Sequence, residues 1–374
     1  TTTSLGAAVL HGSDSDPTVI SGGIINQYGT NARLGQGNWT IVEADESDGT
    51  FVKLPATHVI VTNIDPEHMT YYGDFATLYD AFKQFVENIP FYGLGIICFD
   101  HPTTRKLALE ITDRRIVTYG LESGADVQAV NVRFDHGHMH FDLKFSAHFL
   151  QVVHNSCIGQ DHLDYTLNMV GHHNVQNALS TIICALELGL SIDQIKVGLR
   201  QFEGVKRRYT LVGRVQQCNF IDDYAHHPIE VKAVIDAAKL INDEPITIVF
   251  QPHRYSRLKE FVNDFANALN HGHRIYVTPV YAAGEEKQPI DHHTLIQMIG
   301  HLNHPDVHFA ADLNDLRDQL LASGPLRGQI IFMGAGDITN WVPILLDQLK
   351  ADSVIGSMQV DEHSMSLQLQ SGSQ

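Results

Sequence analysis

Several short segments of this chain hold side chains whose types and spacing suit catalysis or binding. Glu43-Ala44-Asp45-Glu46-Ser47-Asp48 packs four carboxylates into six residues directly behind the apolar run Trp39–Glu43. Crowded like charges repel unless solvent or a cation intervenes, and magnesium takes oxygen ligands, often one or two carboxylates plus phosphates. Asn63-Ile64-Asp65-Pro66-Glu67-His68 ends the next β-rich run and offers an imidazole to a metal or a phosphate. Gly171–Asn177 (GHHNVQN) precedes a helical pattern. There the amide of Asn174 or Asn177 can read a base edge, since an amide donates and accepts side by side. Lys206-Arg207-Arg208 is suited to neutralising a polyphosphate. Asp222–Pro228 (DDYAHHP) and Gln251–Arg257 (QPHRYSR) each follow an apolar run. Arg254 and Arg257, three apart, share a face at a helix start, and two guanidiniums suit a carboxylate substrate. Each segment also has a plainer reading: solvated acidic loop, capping histidine, ordinary N-cap, basic linker, surface charge. His136-Gly137-His138-Met139-His140 invites a zinc reading, but Asp135-His136-Gly137 has the composition of a hairpin turn, and neither HExxH nor CxxC accompanies it.

These residues need strands to carry them, because ligands of an open parallel sheet bind outside the carboxyl ends of its strands. Strands are predicted over Trp39–Glu43, His58–Asn63, Gly95–Phe99 and Arg115–Tyr119, with a helix from Phe75 to Asn88 between the second and third. Continuous apolar strands alternating with helices imply a parallel sheet covered on both faces, with the first two strand ends as neighbours. The alternation Val130, Val132, Phe134 marks an antiparallel excursion between about 125 and 165. Helices are predicted over Asn174–Leu188, stopped by Gly189, and over Ile192–Phe202, capped by Ser191. A second series begins near Tyr209. Its strands are Cys218–Asp222, Ile246–Phe250, Ile275–Pro279 and Gln329–Met333; its helices are Ile229–Leu240, Arg257–Leu269, Asp312–Leu321 and Thr339–Gln348. Beyond Ala351 the polar, Ser/Gln-rich chain reads as a frayed tail.

Composition bounds the classes. The 374 residues suggest about two or three domains. The formal net charge of −18 argues against a protein that coats nucleic-acid phosphates, though not against a nucleotide ligand. No apolar run approaches the length of a membrane span. The four cysteines form no CxxC pair, which favours a reducing cytoplasm. Thr1–Ala8 reads as a helix already under way, so a piece of a longer protein is expected.

Together EADESD, NIDPEH, GHHNVQN, Arg207-Arg208, DDYAHHP, FQPHRYSR (Phe250–Arg257), YAAGE (Tyr281–Glu285) and GAGDI (Gly334–Ile338) resemble the Mur ligase family, in an order and spacing that run from Thr1 to about Trp341. The resemblance implies an α/β protein: a central P-loop-type ATPase domain with a mainly parallel sheet, over 1–206, then a C-terminal Rossmann-like amino-acid-binding domain, over 207–352, with 353–374 as tail. The family's N-terminal UDP-sugar domain and the lysine of its phosphate loop lie outside this sequence, and Thr1-Thr2-Thr3-Ser4 resembles that loop's tail. The chain alone is therefore expected to be inactive. The implied reaction is ATP-dependent amide formation for peptidoglycan precursors, through an acyl phosphate. The pattern favours the alanine-adding branch, which joins L-alanine to UDP-N-acetylmuramate. A tripeptide-adding branch acting on the same nucleotide sugar, or a non-catalytic nucleotide-binding fragment, are the alternatives. By resemblance Glu43 and His68 hold magnesium, and Thr1 lies by the ATP phosphates. Asn177 and Tyr224 contact adenine with His173 beside them. Arg207 or Arg208 approaches the phosphates. His226, His253, Arg254 and Arg257 surround L-alanine, with His226 a possible proton acceptor. Lys83, fifteen residues after His68, is a surface helix lysine rather than the modified lysine of some sister ligases.

Overall fold

The computed structural model describes residues 1–11, 15–156, 158 and 163–352; the tail expected over 353–374 lies outside the described residues. The chain divides into two compact units, one ending at Lys206 and the next beginning at Arg207.

The first unit opens with α1 (Thr2–His11), a helix buried at six of its ten residues, followed by β1 (Thr18–Ile25), β2 (Thr30–Arg33) and β3 (Thr40–Val42). These strands form their own small sheet in the order β2-β1-β3, with β3 parallel to β1. The large sheet starts only at β4 (His58–Val61) and continues through β5 (Leu94–Cys98), β6 (Ile116–Gly120), β7 (Val127–Asp135), β8 (His138–Phe145) and β9 (Tyr165–Leu167) in chain order. Pairing is parallel from β4 to β7 and antiparallel from β7 to β9. The expectation that the Trp39–Glu43 strand joins this sheet beside His58–Asn63 is therefore corrected. A three-residue strand with little burial has too few ladder bonds and too little apolar surface to command a place in the large sheet, and it pairs with β1 instead.

Helices α2 (Met69–Tyr72), α3 (Phe75–Glu87), α4 (Pro102–Glu110), α5 (Ala147–Val152), α6 (His172–Glu187) and α7 (Ile192–Gln201) complete the unit. Asp74 caps α3 through the Thr77 N–H, and Ser191 with Gln194 forms a capping box on α7. β5 is buried at all five positions, as a central parallel strand requires. Leu78, Phe85 and Val86 of α3 pack with Val59, Val61 and Ile97, while α6 packs over β5, β6 and β7. His136 and Gly137 both take positive φ (47° and 88°) in the two-residue turn between β7 and β8, the type I′ geometry that matches strand twist. His136 pairs with Asp135 at 2.7 Å there.

The second unit is a six-stranded sheet in the order β10-β11-β15-β12-β13-β14. Its strands are β10 (Thr210–Val215), β11 (Gln217–Asp223), β12 (Ile246–Phe250), β13 (Arg274–Val277), β14 (Val307–Phe309) and β15 (Arg327–Met333). All pairings are parallel except β10 with β11. Helices α8 (Pro228–Ile241), α9 (Tyr255–Leu269) and α10 (His292–His301) share a core with Ile246, Ile248 and Phe250. Val249, Tyr276, Phe220 and Phe332 pack on the other side with α11 (Leu313–Ala322) and the helical residues 341–352. The alternation Ile248–Val249–Phe250 between two cores is the period-two signature of a strand covered on both faces. β1, β2, β10, β14, α2, α4, α5 and α10 were not anticipated from the sequence.

Close packing of α1 on α7 depends on Gly198, where an added Cβ would lie 2.6 Å from the Val9 Cα. Gly198→Ala should lower stability by about 1–3 kcal/mol through overpacking, despite alanine's better helix propensity. Chemical denaturation checks this; an unchanged or raised midpoint would contradict the packing.

Candidate functional sites

In the first unit the acidic loop after β3 is tied down at both ends. Glu43 accepts hydrogen bonds from the Ser21 hydroxyl (2.7 Å) and the Gly22 N–H (2.8 Å), so one carboxylate oxygen is held against β1. The Tyr72 hydroxyl of α2 donates to the Glu46 carbonyl. This holds the loop beside His68, which precedes α2 with a positive φ of 57°. His68 Nε2 lies 3.6 Å from both Glu46 Oε1 and Glu67 Oε2. The contact with Glu46, reinforced by the charges of Glu46, Glu67 and Asp45 and opposed by burial, raises the His68 pKa. Among the described residues, Glu46, Glu67 and His68 are the three whose ligand atoms lie close enough to share one cation, all within 4.8 Å. This set contains His68 of the expected pair but not Glu43. The carboxylate next to His68 is Glu46, while Glu43 holds β1. Two carboxylates with one imidazole fit a divalent cation with hard oxygen preference, provided phosphate or water supplies further oxygens.

At the start of α6, Asn177 accepts from the Thr2 hydroxyl (3.0 Å) and donates to Asn174 Oδ1 (3.3 Å). Thr1 and Thr2 begin the chain next to this helix, and His173 is half-buried in its first turn. Lys83 on α3 pairs with Glu110 at 3.6 Å.

In the second unit, loops after β11, β12, β13 and β15 supply the other set. Both guanidiniums stand against the Tyr224 ring, Arg207 at 4.8 Å and Arg208 at 5.5 Å from its centroid. Arg207 also donates to the Gly334 carbonyl and lies 3.7 Å from Asp222; Arg208 lies 3.5 Å from Glu230. His226 Nδ1 is 3.0 Å from the Tyr224 carbonyl. A carbonyl only accepts, so Nδ1 carries the proton and Nε2 holds the lone pair of the neutral ring. Burial works against the Glu230 charge, but His226, Arg208 and the N–H groups of His226 and His227 outweigh it and hold the carboxyl below its usual range. Burial pushes the neighbouring Asp223 up to about 6, against the pull of Arg208.

His253 stacks on Tyr281, with centroids 5.5 Å apart and planes within 12°, and meets His226 edge-on at 5.7 Å. Gly336 lets this stack form, since a Cβ there would lie 2.6 Å from the Tyr281 ring. Arg254 follows with φ 69° and ψ 135°, a strained conformation for a side-chain-bearing residue. Its N–H is held by the Tyr281 carbonyl at 2.9 Å. Glu285 caps the start of α9 through the Ser256 N–H and hydroxyl. Arg254 is exposed and Arg257 half-buried on the following turn. The structure thus brings His226, His253, Tyr224, Arg207 and Arg208 together. Tyr281, Glu230 and Glu285, which position them, were not singled out as site residues, although YAAGE was visible as a motif.

Burial first, then the charges of His226, Arg257 and Arg254, lower the His253 pKa to about 4. The imidazole therefore stays neutral at neutral pH. Because the unfolded chain binds this proton at about 6.5, the stability that His253 supports is full above that pH and is lost as pH falls toward 4. An NMR titration of the His253 ring should find its midpoint near 4; a midpoint of 6 or above would contradict the packing of this cluster.

The Mur ligase middle domain family matches residues 25–185, and the Mur ligase, glutamate ligase domain family matches residues 207–336. The chain is 46% identical over 356 residues to the UDP-N-acetylmuramate–L-alanine ligase of Agrobacterium fabrum, covering 94% of this chain and 74% of that protein. It superposes on the crystal structure of the UDP-N-acetylmuramate–alanine ligase of Thermotoga maritima with a TM-score of 0.76 at 25% identity, covering 94% of this chain and 73% of that one. The MurF ligase of Thermotoga maritima in complex with ADP shares the fold, with a TM-score of 0.71 at 15% identity over 94% of this chain and 78% of that one. The chain belongs to the Mur ligase family.

Proposed function

We propose that this chain supplies the ATP-binding and amine-binding parts of an ADP-forming carboxylate–amine ligase that joins L-alanine to UDP-N-acetylmuramate. The observation that carries this reading is the 46% identity to a ligase so named, sustained through both units. The chemistry needs activation, because a carboxylate is a poor acyl donor and its anhydride with phosphate is a good one. A carboxylate oxygen of the sugar attacks the γ-phosphorus of ATP, and ADP leaves. The alanine nitrogen then attacks the acyl carbon, phosphate leaves, and the amine proton passes to a base.

The residues divide this work between the two units. Glu43 and His68, with Glu46 and Glu67 beside His68, are the set that would hold magnesium. Magnesium held there would supply the positive charge that phosphoryl transfer demands. Thr1 lies by the phosphates; Asn177 and Tyr224 take the adenine, with His173 adjacent. Arg207 and Arg208, fixed on Tyr224, offer positive charge to the polyphosphate. Arg254 and Arg257 hold the alanine carboxylate, and His253, kept uncharged, lies beside the arginines without repelling the amine. His226 takes the amine proton at Nε2, the nitrogen its Tyr224 contact leaves basic. This reading places the protein in the cytoplasm, with its nucleotide substrates.

Two substitutions in the full-length protein test it. Glu43→Ala should lower ADP formation by at least about a hundredfold and, because Ser21 and Gly22 lose their acceptor, lower the melting temperature modestly without preventing folding; unaltered turnover removes Glu43 from the metal set. Arg254→Ala should raise the KM for L-alanine by about tenfold or more, the range of a lost charged hydrogen bond, with little effect on the KM for ATP. Equal effects on both would exclude carboxylate binding there. Tripeptide accepted in place of L-alanine at equal kcat/KM would move the protein to the other branch.

A further inference from the structure

Asn177 does not stand alone. The Thr2 hydroxyl donates to Asn177 Oδ1 (3.0 Å), Asn177 Nδ2 donates to Asn174 Oδ1 (3.3 Å), and Asn174 Nδ2 donates to the Val170 carbonyl (2.7 Å). Asn174 is 3% exposed. This is a chain of four groups with one direction, and its direction is set at one end. A backbone carbonyl only accepts, so Asn174 must turn its nitrogen to Val170 and its oxygen to Asn177. Asn177 must then turn its nitrogen to Asn174, which leaves its oxygen facing Thr2. The hydroxyl can rotate to donate, and it closes the sequence. Neither amide can flip without setting two donors or two acceptors against each other, which is costly where one amide is buried.

Each atom of the Asn177 amide has spent half its capacity: one N–H of two and one oxygen lone pair of two. One N–H and one lone pair remain, and the two bonds fix which end of the amide donates and which accepts. An asparagine so arranged matches adenine, which offers an N6–H donor beside the N7 acceptor. Guanine offers two acceptors, O6 and N7, and the fixed Asn177 oxygen would oppose its O6. An amide free to turn could relieve that clash; one locked from both sides cannot.

We propose that Thr2 and Asn174 are positioning residues that lock the Asn177 amide and so set the preference for adenine over guanine nucleotides. The proposal rests on the reading of Asn177 as the adenine contact. It assigns a role to Thr2, in the first turn of α1, that involves no contact with the nucleotide. A purely structural role for Thr2 or Asn174 would weaken ADP and GDP together and leave their ratio alone, so the ratio is the informative quantity.

The experiment is calorimetric binding of ADP and of GDP, in magnesium buffer, to the full-length protein and to its Asn177→Ala, Thr2→Val, Thr2→Ser and Asn174→Leu variants. The wild type should favour ADP, and Asn177→Ala should abolish the preference. Thr2→Val should reduce the ADP-to-GDP affinity ratio by about fivefold and Asn174→Leu by about tenfold or more, within the range set by one bidentate base contact. Thr2→Ser, which keeps the hydroxyl, should retain the wild-type ratio. If Asn174→Leu does not fold, the Thr2→Val and Thr2→Ser pair decides alone. A ratio that collapses in Asn177→Ala but stays at the wild-type value in Thr2→Val overturns the lock and leaves the adenine reading standing. A ratio unchanged in Asn177→Ala overturns the adenine reading, and the lock with it.

Discussion

The parallel hydrogen-bond ladder from β11 through β15, β12 and β13 is the constraint on which the second unit's site depends. Strands paired in one direction send every following loop to the same edge. Asp222–Pro228, Gln251–Arg257, the Tyr281 loop and Gly334–Asp337 are far apart in the chain, yet they meet there. Gln251 binds both Asp337 (2.8 Å) and the Ile338 N–H (3.2 Å), and Tyr281 both stacks on His253 and holds the Arg254 N–H. The candidate site residues are thus placed by loop-to-loop contacts, and those contacts exist because the strands run parallel. The strained Arg254 backbone persists for the same reason: its neighbours over-determine it.

Charge is arranged around this edge so that two adjacent imidazoles differ. His226 has Glu230 at 3.5 Å and a carbonyl on Nδ1, whereas His253 is buried among positive groups and driven to about 4. The first unit repeats the theme with opposite sign: His68 sits among carboxylates that raise its pKa, the setting in which a cation can take the proton's place.

Much of this was legible before any coordinates. Strand ends carrying EADESD, NIDPEH, DDYAHHP and QPHRYSR were visible because apolar runs of fixed length stop at polar, Gly- or Pro-containing loops. Ile246–Phe250 matched β12 residue for residue, and Gly189 and Ser191 marked helix ends through plain local chemistry. What stayed hidden depended on partners distant in sequence. The small sheet could not be read because β1 carries two glycines and β2 is exposed, so neither shows a core-facing pattern. β10 is an antiparallel edge with little burial, and α10 buries only Leu295 and Ile299. Glu46 was seen as a carboxylate of the acidic run, but its closeness to His68 arises from the Tyr72 bond, which no local pattern announces. The roles of Tyr281, Glu230 and Glu285 are equally tertiary.

The central claim is that ATP makes the sugar carboxylate reactive by phosphorylating it. The direct test is the reaction of UDP-N-acetylmuramate labelled with ¹⁸O in its carboxyl group, with ATP, magnesium and L-alanine, followed by mass analysis of the released phosphate. The account predicts one labelled oxygen in inorganic phosphate for each amide formed, with ADP as the other product. Label retained in the amide product alone, or delivered to AMP, would contradict it.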